Sequence, residues 1–246
     1  MVENPMLIFV AIAIQAILGK TLVLLDAHVP QSKYSTLLGR LADDDVDILP
    51  TAPPLVKYGG QVYRSVIVLE YSGGFDGALG IGSLVDHVQL GGNVLVVAPP
   101  DMSENIRDFA YEFSVDFERS GSLVKGPTLT DPLTIEAKST HLSGIVPASI
   151  KTVPYHGIGH KLSGKNKLIA PVLVACSTCY SYITGRPFGT NSLVGRSLVL
   201  VSAFQALNNA RIVFSGSTHM LSDAYLFLTS VVCRRQQKVI PLRGKF

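Results

Sequence analysis

Apolar runs and polar breaks alternate along this chain in a rhythm that predicts strand and helix by turns. Thr21 to Asp26 (TLVLLD) is a continuous apolar run closed by an acid, the pattern of a strand buried on both faces of a parallel sheet. Tyr34, Leu37, Leu38 and Leu41 recur at helical spacing, with Ser32 expected as the amino-terminal cap and Asp43 to Asp45 as the break. Val46 to Leu49 is a short second strand stopped by Pro50, Pro53 and Pro54, and Ser65 to Leu69 (SVIVL) is a third. A helix carrying Ile81, Leu84, Val85 and Val88 follows, ended by Gly91 and Gly92, one of which is expected in the left-handed conformation. Asn93 to Ala98 is the fourth strand. Ile106, Phe109, Ala110 and Phe113, behind Ser103 as the expected cap, mark another amphipathic helix. Repeated strand–helix alternation predicts an α/β fold built on a doubly wound, mostly parallel sheet.

The second half is less regular. Ser120 to Ile150 is rich in Ser, Thr, Gly and Pro and reads as an irregular excursion with short strands at most. Val172 to Ala175 and Tyr180 to Ile183 read as two strands joined around Cys176 and Cys179, a short hairpin-like β insert. Ser197 to Ala206 is a buried strand, Asn208-Asn209 a turn, and Ala210 to Phe214 a further buried strand leading into Ser215-Gly216-Ser217. Tyr225 to Val232 has helical spacing. Cys233 to Phe246, with five Lys or Arg, fits neither pattern.

Composition narrows the classes. With 47% hydrophobic residues in 246, the chain can bury one large core. A formal net charge of +3, with no basic stripe interleaved with aromatics, leaves nucleic acid without an electrostatic footprint. Met6 to Leu18 is apolar apart from Gln15, and as a helix it would reach only ~20 Å, short of a bilayer core. It reads as the apolar region of a secretory signal peptide spanning 1–19, although Glu3 stands where a basic residue is usual. The three cysteines, Cys176, Cys179 and Cys233, are too few for a disulfide scaffold, and the C-x-x-C lacks the further ligands of a zinc site.

Several constellations invite chemistry. Ser215 and Ser217, with His219 close behind, sit at the carboxyl end of an apolar strand, where an α/β enzyme builds a nucleophile site and where an ordinary tight turn also falls. Phe214-Ser215-Gly216-Ser217 lacks the leading glycine of the G-x-S-x-G elbow. His156 and His160 stand four apart, but Pro154, Gly157 and Gly159 oppose the continuous helix that would bring them onto one metal. Gly80-Ile81-Gly82 is a weak phosphate-loop pattern because position 85 is valine. Asp26 and Asp101, both at expected strand ends, are too few to specify a metal. Tyr180 and Tyr182 share one face of a strand, which suits glycan stacking or plain packing.

The order of segments resembles that of the 48 kDa subunit family of eukaryotic oligosaccharyltransferase. The resemblance rests on TLVLLD, on LVKYG at Leu55 to Gly59 with the apolar strand after it, and on GGNVLVVA at Gly91 to Ala98. HGIG at His156 to Gly159, STCYSY at Ser177 to Tyr182, and QALNNARIVFSGS at Gln205 to Ser217 with Ser222-Asp223 extend it. It implies a glutamine-amidotransferase-like α/β domain over 20–232, lumenal in the endoplasmic reticulum and preceded by a cleaved signal peptide. The family's later β-rich domain and membrane helix are not matched, and the resemblance fades into the basic tail at 233–246. A truncated product, or a variant held at the membrane by its partners, is the corresponding expectation. The implied role is that of a non-catalytic accessory subunit. The complex transfers a preassembled oligosaccharide from dolichol diphosphate to Asn of Asn-x-Ser/Thr, and another subunit does the catalysis. The implied partners are therefore the other oligosaccharyltransferase subunits, and no catalytic, cofactor or metal residue is assigned. The competing expectations are a hydrolase or amidotransferase-like enzyme, using Ser215, Ser217, Cys176 or Cys179 with His156, His160 or His219, and a glycan- or peptide-binding module.

Overall fold

The computed structural model describes residues 19–41, 45–71, 80–126, 133–136, 152–183 and 193–225. In chain order the first half comprises β1 (Thr21–Leu24), a 3-10 turn (Gln31–Tyr34), α1 (Ser35–Leu41), β2 (Val46–Leu49), β3 (Val56–Lys57), β4 (Gly60–Gln61) and β5 (Ser65–Leu69). It continues with α2 (Ile81–Gln89), β6 (Asn93–Val97), α3 (Glu104–Glu112), β7 (Val115–Phe117) and β8 (Ser122–Lys125). The second half holds β9 (Leu133–Glu136), β10 (Thr152–Tyr155), β11 (His160–Leu162), β12 (Ile169–Val174), β13 (Tyr180–Ile183), β14 (Val199–Gln205) and β15 (Arg211–Ser215). Short 3-10 turns occupy Gly195–Ser197 and His219–Leu221.

Nine strands form the central sheet in the order β2-β1-β5-β6-β15-β14-β11-β7, with β12 also paired to β14. The strands from β2 to β15 are mutually parallel. From β14 onward every pairing is antiparallel. The α/β class and the parallel core agree with the sequence pattern, and β15, the last of the described strands, sits inside the sheet between its parallel and antiparallel halves.

The apolar runs are continuous because both faces of the parallel strands are covered. Val23, Ile67, Leu95 and Val213 pack on one face with Tyr34, Leu37 and Leu41, and the two-stranded sheets of β8, β9, β10 and β13 extend that layer through Val124, Ile135 and Val153. Their neighbours in sequence, Leu22, Leu24, Val66, Val94, Ile212 and Phe214, point the other way into α2 and α3 through Leu84, Val88, Ile106 and Phe109. Phe109, Phe113 and Phe214 pack there with ring centroids 5.1 to 6.3 Å apart, within the range of favourable aromatic pairs.

Some details differ from the expectation. Val172 and Tyr180 do not belong to one hairpin: β12 joins the central sheet against β14, while β13 pairs with β8. The apolar side chains of β12 are long-range partners of β14, so local turn signals could not reveal the pairing. Ser103 occupies the cap position of α3 without a capping side-chain hydrogen bond, and the turn before α1 begins behind Pro30 rather than Ser32. Gly91, at φ +92, is the left-handed residue that ends α2. The Asn208 amide donates to Val88 O at 2.9 Å and Gln89 O at 2.7 Å, so the β14–β15 turn bonds to carbonyls in the last turn of α2. The helical run from Tyr225 lies almost wholly outside the described residues.

Two histidines are sealed in the core, His87 on the buried face of α2 and His160 in β11, both with 0% exposure. Burial pushes the pKa of His87 down to about 4 and that of His160 to about 3. In the unfolded chain both rings protonate near ~6.5. Above that pH neither state holds the extra protons and stability is flat. As pH falls from there toward 4, the unfolded chain takes up protons that the fold refuses, and stability drops, by ~2 kcal/mol per ring at pH 5. Urea unfolding at pH 7.5 and 5.0 should show this drop, and H87L should lose part of the pH difference whatever its own baseline stability.

Candidate functional site

The corner after β15 was the leading candidate for chemistry. Ser215 is 7% exposed and Ser217 is 0% exposed, so both hydroxyls lie inside the protein. The Ser217 hydroxyl donates to the backbone carbonyl of His156 at 2.5 Å. Ser215 Oγ accepts from the Ser217 N–H at 3.3 Å and lies 3.9 Å from Met220 Sδ. These hydroxyls are engaged by backbone and thioether partners, whereas nucleophilic catalysis requires a hydroxyl that hands its proton to a base.

The partner of this corner is the HGIG segment between β10 and β11. Ile158 N–H donates to Gly216 O at 2.8 Å, and the fully buried Tyr155 hydroxyl donates to Ile158 O at 2.6 Å. Burial raises the Tyr155 pKa, so the phenol stays a neutral donor. A β-carbon on Gly157 would fall 2.0 Å from Gly216 O, and one on Gly216 would fall 1.8 Å from Ile158 O. Two backbones therefore cross in contact, and only glycine at both positions permits the crossing.

The histidines are divided among different jobs. The rings of His156 and His219 meet edge to face at 4.9 Å, with Tyr225 5.3 Å beyond His219. His160 points elsewhere, with Nε2 2.9 Å from Ser202 Oγ. That is a Ser–His contact, but both residues have 0% exposure and no substrate reaches it. The hydrolase reading therefore meets its Ser–His contact of His160 and Ser202 inside a closed core.

Two carboxylates that sequence reasoning did not single out for these roles hold the carboxyl edge together. Asp223 accepts from the backbone N–H groups of Ser35 and Thr36, each at 3.0 Å, and from the Ser35 hydroxyl. It thereby caps α1 from 188 residues away. Burial raises its pKa, but the hydrogen bonds from Ser35 and Thr36 outweigh this and hold it below the ordinary carboxylate range. Glu70, at the end of β5, has φ +46, a left-handed conformation unusual for a side chain of its size, and pairs with Lys33 across the edge. Burial pushes Glu70 up, while Lys33 and then Thr218 pull it below the usual value. The only signal for either was an acid at a strand or turn end.

The remaining candidates are dispersed. Asp26 lies beside His28 at 3.9 Å, and Asp101 is exposed ahead of α3. The two acids follow β1 and β6, strands that β5 separates in the sheet. Among the described residues no group of three or more His, Cys, Asp or Glu is arranged to hold a metal ion, and no helix is long and apolar enough to cross a membrane. Tyr180 and Tyr182 are half-buried on β13. Cys176 and Cys179 form a disulfide. Gly80 begins α2, while the glycines at 73, 74 and 77 lie outside the described residues.

Together these features define an α/β protein whose carboxyl edge is closed by structural contacts. The chain belongs to the OST48 N-terminal domain family, whose model matches residues 12–237. It is 32% identical over 234 residues to the 48 kDa subunit of dolichyl-diphosphooligosaccharide–protein glycosyltransferase of Danio rerio, covering 87% of this chain and 53% of that one. The Arabidopsis thaliana subunit of the same name is 32% identical over 222 residues, covering 83% and 51%. The chain thus spans about half the length of these relatives. Among solved structures, the mmIFT52 N-terminal domain is similar in fold, with a TM-score of 0.64 at 14% identity, covering 88% of this chain and 93% of that one. A putative ThuA-like protein from Bacteroides uniformis has a TM-score of 0.50 at 13% identity, covering 90% and 91%.

Because neither glycine at the crossing has room for a β-carbon, G157A and G216A should each destabilise the fold by ~3 kcal/mol or more. Removing the helix cap with D223A should cost ~1 kcal/mol. Denaturant midpoints of the purified variants measure all three.

Proposed function

We propose that this chain acts as a non-catalytic accessory subunit of an oligosaccharyltransferase complex. The observation that carries the reading is the family match across nearly all of the described fold, joined to relatives that bear the 48 kDa subunit's name. The site geometry supports it from the chemical side: Ser217 is hydrogen-bonded to a carbonyl, His160 and Ser202 are sealed, and the cysteine pair is oxidised. In this reading residues 1–19 are a cleaved signal peptide, 20–232 a domain in the lumen of the endoplasmic reticulum, and 233–246 a basic tail. The complex's reaction, transfer of a dolichol-linked oligosaccharide to acceptor asparagines, is carried out by another subunit. This chain contributes a folded surface to the assembly and is held at the membrane by its partners.

Tagged full-length chain expressed in eukaryotic cells and solubilised in mild detergent should co-purify with the catalytic oligosaccharyltransferase subunit. Recovery as a free secreted monomer overturns the proposal, and so does stoichiometric labelling by a serine-directed probe that S215A or S217A abolishes.

A further inference from the structure

The Cys176–Cys179 disulfide closes the loop between β12 and β13, where the chain leaves the central sheet for the small sheet formed with β8. Its two sulfurs are placed unequally. Cys176 is only partly buried and is followed by exposed Ser177 and Thr178, whereas Cys179 has 0% exposure and packs in the same core as Leu198 and Val124. A thiolate arriving from solvent can reach the first sulfur and not the second.

The loop does not need the bond to keep its shape. Cys179 N–H donates to Cys176 O at 3.1 Å, closing the turn through the backbone. On either side Ala175 N–H donates to Leu198 O at 2.9 Å, Gly195 N–H to Cys179 O at 2.8 Å, and Ser181 N–H to Leu193 O at 2.9 Å. A sequence separation of 3 closes a very small ring, which restricts the unfolded chain little. A disulfide that adds little to stability, on a turn anchored by other bonds, is free to open and close.

The surroundings of the exposed sulfur also suit a thiolate. Thr178 Oγ1 lies 3.5 Å from Cys176 Sγ, within reach to donate its proton to a charged sulfur. That hydroxyl is placed to stabilise charge on the Cys176 sulfur.

We propose that Cys176–Cys179 is a thiol–disulfide exchange site whose ligand is a thiolate, attacking at Cys176 Sγ. The incoming sulfur bonds to Cys176 Sγ as the Cys176–Cys179 bond breaks, and Cys179 leaves as a thiolate that takes a proton from water. In the return step Cys179, deprotonated again, attacks Cys176 Sγ, restores the ring and expels the bound thiolate. Exchange alone consumes no oxidant. If a second thiol of the same substrate attacks the mixed disulfide instead, that substrate leaves oxidised and the cysteine pair is left reduced.

The test uses the full chain with Cys233→Ser, so that only this pair reacts, under native conditions. One arm adds reduced glutathione, the other an unstructured peptide with a single cysteine; each is quenched with acid and mapped by mass spectrometry. The expected product is an adduct on Cys176 with the circular dichroism spectrum unchanged. Adducts in both arms identify an exchange site open to polypeptides, and an adduct with glutathione alone identifies one limited to small thiols. With oxidised glutathione, C179S should trap a stable adduct at Cys176, while C176S should react at least ~10-fold more slowly at Cys179. Ring opening only after denaturant is added, an adduct on Cys179 while Cys176 is present, or loss of the fold on reduction overturns the proposal, and none of these needs a variant of the pair.

Discussion

The crossing of Gly157 over Gly216 is the contact on which the two halves of this molecule depend. Gly216 continues directly from β15, which closes the parallel part of the sheet against β6, and Gly157 lies in the turn that delivers β11 to the antiparallel part. The approach is close enough for Ile158 N–H to donate to Gly216 O and for Ser217 to donate to His156 O, so each backbone supplies hydrogen-bond partners to the other. A polar corner that resembles a nucleophile site in one dimension is, in three, the place where two segments are fastened together. The small hydroxyl residues supply hydrogen bonds at that junction: Ser217 to His156 O, and Ser215 Oγ as acceptor of the Ser217 N–H.

The same economy runs through the rest of the carboxyl and amino edges. Helix ends and strand ends are satisfied by residues remote in the chain: Asp223 on α1, Asn208 on α2, and Asn93 Oδ1 accepting from Arg211 N–H at 3.0 Å. Each contact removes an open backbone group from a partly dry edge, where leaving it without a partner costs more than forming the bond gains. The faces of the sheet are left to apolar packing, and the histidines enclosed there are kept in their neutral form.

What the sequence made legible follows from the range of the forces involved. β2 and β5 begin and end at the residues expected, because Val46 to Leu49 and Ser65 to Leu69 are bounded by prolines and polar breaks that act locally. The helices of Ile81 and Ile106 were equally readable from their spacing. The pairing of β12 with β14, the cap supplied by Asp223 and the hydroxyl partner of Ser217 were not, since each depends on contacts between segments distant in sequence. The missing elbow glycine and the glycine-broken histidine pair did weaken the catalytic reading in advance. The left-handed backbone of Glu70 had no counterpart in the pattern of residues.

The position of β15 bears on how the molecule is made. Synthesis delivers β1, β5 and β6 early, but the interior place beside β6 stays empty until residues 211–215 have left the ribosome, and α1 waits still longer for Asp223. Until then β6 presents an unpaired edge that is apolar from Val94 to Val97, the kind of surface that invites mispairing with other nascent chains. The last of the described strands is thus the one that closes the interior of the sheet, and a lesion in its codons exposes the middle of the sheet rather than its margin.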